Sequence, residues 1–86
     1  MNNQVLATIK SKLCYTPLVF ERVNKKLGLN QDESATKTLV NNVLAQPDDI
    51  ERRGKNYYVR SMQYQVELTV NASNYRLITV NRISEA

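Results

Sequence analysis

The sequence predicts an α+β domain, with three N-terminal helices packed on a four-stranded antiparallel β-meander. Two observations lead there. Up to Leu44 apolar residues recur at helical spacing, and Pro47 then breaks the pattern. From Asp49 onward the repeat shortens from about 3.6 residues to about 2, the spacing of strands. Helices grouped ahead of a meander, rather than alternating with its strands, form two layers around one core. The chain has 86 residues. That is below the roughly 100–200 residues of an average domain, so a single domain over residues 1–86 is expected.

The first helix places Val5, Ile9 and Leu13 at i, i+4 and i+8, with Leu6 beside them. One narrow stripe is thus apolar, Lys10 and Lys12 face outward, and Asn2 or Asn3 is suited to cap the start. In the second helix Thr16 supplies the N-cap and Pro17 the first turn, where its missing N–H is harmless. Val19, Val23 and Leu27 form its stripe, with Phe20 adjoining. Lys25 and Lys26 suit the negative end of the helix dipole, Gly28 suits the left-handed residue that ends a helix, and Leu29 is placed to fold back as its apolar contact. The third helix is expected to begin at Asn30, because Glu33 follows at capping-box spacing. Ala35, Leu39 and Val43 share a face, Val40 and Leu44 widen it, and Gln46-Pro47 ends it.

A short strand starts at Ile50 and runs into a turn at Gly54-Lys55-Asn56. From Tyr57 to Met62 the residues alternate, with Tyr57, Val59 and Ser61 on one face and Tyr58, Arg60 and Met62 on the other. The cleanest strand follows: Tyr64, Val66, Leu68 and Val70 point one way. Asn71 to Asn74 form a turn rich in residues that bond their own backbone. The last strand, Tyr75 to Ile83, is apolar on both faces, which leaves its register open. The expected core comprises Leu18, Val19, Val23, Leu27, Leu39, Val43, Val66, Leu68, Ile78 and Val80.

Composition narrows the chemistry. A hydrophobic share of 42% and a charged share of 23% suit a globular rather than a disordered chain. The absence of His removes the commonest general base and metal ligand. No glycine-rich phosphate loop is present, so neither a cofactor nor a metal is expected, and no catalytic residue can be named. Asp48, Asp49 and Glu51 are read as neutralising Arg52 and Arg53. The lone Cys14 lacks an imidazole partner and is read as a small buried hydrophobe. With no basic-then-apolar leader and no apolar run of about 20 residues, a cytoplasmic protein without membrane contact is expected.

Charge points to a partner. The chain carries +4 formally, and six basic residues between Arg52 and Arg82 face one acid, Glu67. If Val59 points at the helices, Tyr57 packs beside it while Tyr58 and Arg60 look outward. Together with Arg53, Lys55 and Arg76 they form the candidate binding residues. Tyrosine among arginines suits RNA, where rings stack on bases, and equally suits an acidic protein partner.

The stretches KLCYTPLVFERVNKKLGL, RRGKNYYV and VELTVNASNYRLITVNRI, in that order, resemble a family of short stand-alone bacterial domains of unknown function. That resemblance covers nearly the whole chain. Helices before a meander that ends in an R-x-ITV strand are similar, more distantly, to the RelE/barnase-like ribonuclease superfamily. The distant similarity implies RNA cleavage on the sheet, with Lys55, Tyr57 or Tyr58, Arg60 and Arg76 supplying the chemistry. Two functions are therefore expected. One is a small basic domain that binds RNA or another polyanion through its sheet, as a RelE-like ribonuclease toxin would. The other is a non-enzymatic protein-interaction module, such as a mobile-element-encoded inhibitor or an antitoxin-like partner.

Overall fold

A computed structural model describes residues 3–83, with three helices followed by a four-stranded antiparallel sheet. The helices are α1 (Asn3–Lys12), α2 (Pro17–Leu27) and α3 (Glu33–Ala45). Capping of α1 by Asn2 lies outside the described residues. α1 anchors through Ile9, which is fully buried, with Val5, Leu6 and Leu13 partly covered. α2 begins at Pro17 as expected, but the Thr16 side chain makes no capping bond. At its other end Gly28 adopts φ 68°, and Asn24 O accepts from the N–H groups of both Gly28 and Leu29. The left-handed residue is where the pattern put it, whereas Leu29 remains 45% exposed instead of closing over the helix end.

The start of α3 differs from the expectation. Its cap is Asp32, whose Oδ1 accepts from Ala35 N–H at 2.8 Å, and Asn30 lies outside the helix. The cause is local. Asn24 Nδ2 donates to Gln31 O at 2.9 Å, and Gln31 N–H donates back to Asn24 Oδ1 at 3.2 Å. Gln31 is thereby tied to α2, so the first residue free to cap is Asp32. The buried face of α3 is Thr36, Val40, Val43 and Leu44, with Leu39 at its margin. Buried Thr36 finds a polar partner in Gln31, whose Nε2 lies 3.1 Å from its Oγ1.

The strands are β1 (Asp49–Arg53), β2 (Asn56–Ser61), β3 (Val66–Asn71) and β4 (Leu77–Arg82), paired in that order. Tyr57, Val59 and Ser61 lie opposite Val70, Leu68 and Val66, so these six share the face that meets the helices. Two strands are shorter than the alternation suggested. Tyr64 precedes β3, because Gln65 sits at φ 54°, and Tyr75 precedes β4, because it sits at φ 58°. The open register of the last hairpin is settled by a bulge. Thr69 pairs with Thr79 but Val70 pairs with Leu77, which leaves Ile78 as the extra residue. Leu77 and Val80 can therefore both enter the core although they are three apart.

Val23, Val40, Val43, Val59, Leu68, Val70 and Val80 are fully buried between helices and sheet. Leu18 is a correction, being 69% exposed. α2 buries Val19, Phe20, Val23 and Leu27, and Leu18 projects outside that sector. Leu39 and Ile78 are only partly buried. Cys14 is also a correction: it is exposed, and its backbone bridges the β4 edge through Cys14 N–H to Tyr75 O and Leu77 N–H to Cys14 O. Among the described residues no helix is long and apolar enough to cross a membrane.

Two substitutions check this architecture. Leu68→Ala removes methyl groups from the centre of the core and should cost about 2–5 kcal/mol in denaturant unfolding. Asp32→Ala should cost about 0.5–2 kcal/mol, the worth of a lost N-cap. The corresponding Asn30→Ala change should be neutral; equal losses at 30 and 32 would refute the assigned cap.

Candidate functional site

The face of the sheet turned away from the helices carries three of the expected residues. Strand alternation puts Asp49, Glu51 and Arg53 of β1 there, with Tyr58 and Arg60 of β2 and Glu67 of β3. Register explains their chemistry. Asp49 and Glu67 lie directly across from Arg60 on the two neighbouring strands. Arg60 Nε donates to Glu67 Oε2 at 2.8 Å, while its two terminal nitrogens lie 3.4 Å from Asp49 and 3.6 Å from Glu51. The bond to Glu67 and its charge, with help from Glu51 and Asp49, raise the Arg60 pKa above its ordinary value. Arg53 stacks on Tyr58 with its guanidinium carbon 4.2 Å from the ring centre and reaches Glu51 at 3.5 Å.

Tyr58 and Arg60 thus face outward as the alternation predicts, and Arg53 joins them. Two arginines against three carboxylates leave this face at −1 (2 − 3). Its cations already have partners.

The other basic residues of the segment are dispersed. Lys55 is exposed in the β1–β2 turn. On the helix side, Arg52 lies over the Tyr57 ring at 5.6 Å, Tyr57 stacks on Tyr75 at 6.3 Å, and Lys12 lies over Tyr75 at 5.6 Å. Tyr57 is therefore a packing residue. Arg76 sits two strands from Arg60, just before β4. The set Lys55, Tyr57 or Tyr58, Arg60 and Arg76 is accordingly divided among a turn, two sheet faces and an edge.

A second surface is assembled at that edge. α2 runs beside β4 in the same direction: Leu18 and Val19 meet Leu77 and Ile78 at one end, and Leu27 O accepts from Arg82 Nη2 at 2.6 Å at the other. Leu18, Arg22 and Lys26 follow one another at i, i+4 and i+8, flanking the buried stripe on one side. Arg22 Nη1 reaches across to Ile78 O at 3.4 Å. Between α2 and β4 lies a cavity of about 210 Å³, lined by Thr16, Leu18, Val19, Leu77 and Ile78 with Arg22 and Arg76. Among the described residues no carboxylate lines it, and no ion pair engages either arginine.

A family model described as "Protein of unknown function (DUF3781)" matches residues 7–81. The chain belongs to this family. No curated protein and no solved structure matches it. The DUF3781 match takes in α2, the open sheet face and every residue lining the cavity. Sequence reasoning had placed Leu18 in the core, assigned Lys26 only to the helix dipole and passed over Arg22. The available signal was an apolar residue in register with two cations, just beside the core stripe.

The open-face network has a measurable signature. Arg60→Ala leaves Asp49 and Glu67 without their cation and Glu51 with Arg53 alone, so it should lower the urea midpoint at low salt and lose much of that effect at about 1 M NaCl, where the screening length falls to about 3 Å. Glu67→Gln should then cost less in the Arg60→Ala background than in the wild type. Equal costs in the two backgrounds would show that the pair is uncoupled.

Proposed function

We propose that this DUF3781 domain is a non-enzymatic protein-interaction module that docks an acidic partner protein on the α2–β4 rim. One observation carries the reading. Arg22 and Arg76 border a cavity with an apolar floor and an exposed leucine, Lys26 lies one turn further along α2, and among the described residues no carboxylate lines that cavity. Charge complementarity favours an acidic segment, and Leu18 offers the apolar contact that protein interfaces place among cations. Among the described residues, nothing lining the cavity is a carboxylate, thiol or imidazole, the usual groups for moving a proton, which supports binding over catalysis.

RNA is the competing partner. Single-strand recognition combines a cationic track with rings free to stack. The rim offers the cations, but no ring lines its cavity, and the outward Tyr58 is covered by Arg53 above a face of −1. These features weigh toward a protein.

Capture from nuclease-treated cell lysate separates the two. The wild type should retain an acidic protein in stoichiometric amount. Arg22→Glu with Lys26→Glu should weaken that capture at least tenfold, about 1.4 kcal/mol, and Tyr58→Ala with Arg60→Ala should leave it intact. Capture that survives the charge reversal refutes the rim. Salt-sensitive binding to single-stranded RNA that is lost in the Tyr58/Arg60 variant, but kept in the reversed one, would move the function to the sheet.

A further inference from the structure

The rim reading leaves open what the cavity itself holds, and three properties limit the answer. Its volume of about 210 Å³ is below the roughly 300–1,000 Å³ of pockets that enclose drug-sized ligands. A nucleotide or large cofactor is too big, whereas one aliphatic side chain fits. Its floor is apolar: Val19 and Leu77 are buried, Ile78 half-buried, and Leu18 forms a wall. Its cations are unpaired: Arg22 makes one long bond to Ile78 O, and Arg76 has no charged partner among the described residues. Arg22 and Arg76 both line this one small space, and an anion bound there is attracted by both positive charges. Guanidinium binds carboxylate through paired N–H donors, a geometry that lysine cannot reproduce.

An occupant must therefore bring an aliphatic group and a carboxylate into the same small volume. Interior segments of a protein do this poorly. Neighbouring residues of an extended chain point to opposite sides, so an acid and an adjacent leucine do not enter one pocket together. Asp and Glu carry the charge but little apolar surface. A C-terminal Leu, Ile or Val carries both on one Cα, the side chain and the free α-carboxylate diverging from a single atom.

We infer that the cavity between α2 and β4 is a subsite for the C-terminal aliphatic residue of the partner chain, with the side chain on Val19, Leu77 and Ile78 and the α-carboxylate on Arg22 and Arg76. This assignment rests on the docking reading for the ligand's being a protein. It explains why arginines, rather than lysines, stand at the cavity while Lys26 lies further along the rim.

The test is a titration of the ¹⁵N-labelled full chain with the peptide acetyl-Glu-Glu-Leu, ending either in a free carboxylate or in an amide, and with inorganic phosphate. The free acid should shift the amide signals of Thr16, Leu18, Val19, Arg22 and Arg76 to Ile78 saturably, with a dissociation constant on the order of 1 mM, as suits so small a ligand. The amide should bind at least tenfold more weakly, and phosphate should not reproduce the pattern. Arg76→Ala should abolish the difference between acid and amide, while its own spectrum reports that the fold is intact. Equal binding of acid and amide overturns the inference, as does phosphate acting like the free acid or shifts confined to the open sheet face. If the peptide acid fails while lysate capture still depends on Arg22 and Lys26, the subsite is refuted and the docking surface stands.

Discussion

The packing of α2 along β4 is the constraint on which the remainder depends. Val19, Val23 and Leu27 meet the sheet through one stripe of α2, and the bulge at Ile78 lets Leu77 and Val80 both turn toward it. Without the extra residue, a strict period of 2 would send one of those two side chains to the open face. The bulge thus reconciles a core that needs both with a strand that alternates. It also sets Ile78 at the margin, where its carbonyl receives Arg22 and its side chain lines the cavity. Core packing and the candidate site therefore share one local irregularity.

The two faces of the sheet handle charge in opposite ways. On the open face, register places carboxylates across from Arg60 on both neighbouring strands, so the pairing of strands itself brings the ions together. Single exposed pairs contribute little to stability. A guanidinium shared by three carboxylates mainly disfavours shifted registers, since sliding a strand by one residue would set those carboxylates on the wrong face. On the α2 side, among the described residues, no carboxylate pairs with Arg22 or Arg76. Arg22 and Arg76 thus stand at one rim without the carboxylates that surround Arg60.

Much of this was legible in the residues. Thr16-Pro17 and Gly28 bounded α2, and the alternation of Tyr57 to Ser61 put Tyr58 and Arg60 outward. What stayed hidden was non-local. Asn30 and Asp32 both precede capping partners, and only the bond between Asn24 and Gln31, seven residues apart, decides between them. The excess of six cations over one acid from Arg52 to Arg82 looked like a binding surface. Its neutralisation involves Asp49 and Glu51, which lie before that window and reach Arg60 only through strand pairing. The rim escaped notice for a related reason: Arg22 and Lys26 belong to α2 and Arg76 precedes β4, and only tertiary packing makes them neighbours. Leu18 was misplaced because helical spacing assigns a face but not the width of the buried sector.

The sheet edges bear on how a partner can approach. A partner that adds a strand needs an exposed edge with free backbone groups. The β1 edge reads Asp-Ile-Glu-Arg-Arg, four of its five residues charged, which discourages an incoming strand. Along β4, Cys14 already bonds to Tyr75 O and Leu77 N–H, and Arg22 occupies Ile78 O. With one edge charged and the other partly occupied, side-chain recognition at the α2–β4 rim is the more open route. Division of labour there follows from the physics of interfaces. Exposed cations such as Lys26 govern how fast an acidic partner arrives, because long-range attraction acts before contact. Desolvated contacts in the cavity govern how long it stays, since residence is set by the groups water must re-enter to release. Changes at Lys26 should accordingly appear in the association rate, and changes at Leu18 or Arg76 in the dissociation rate.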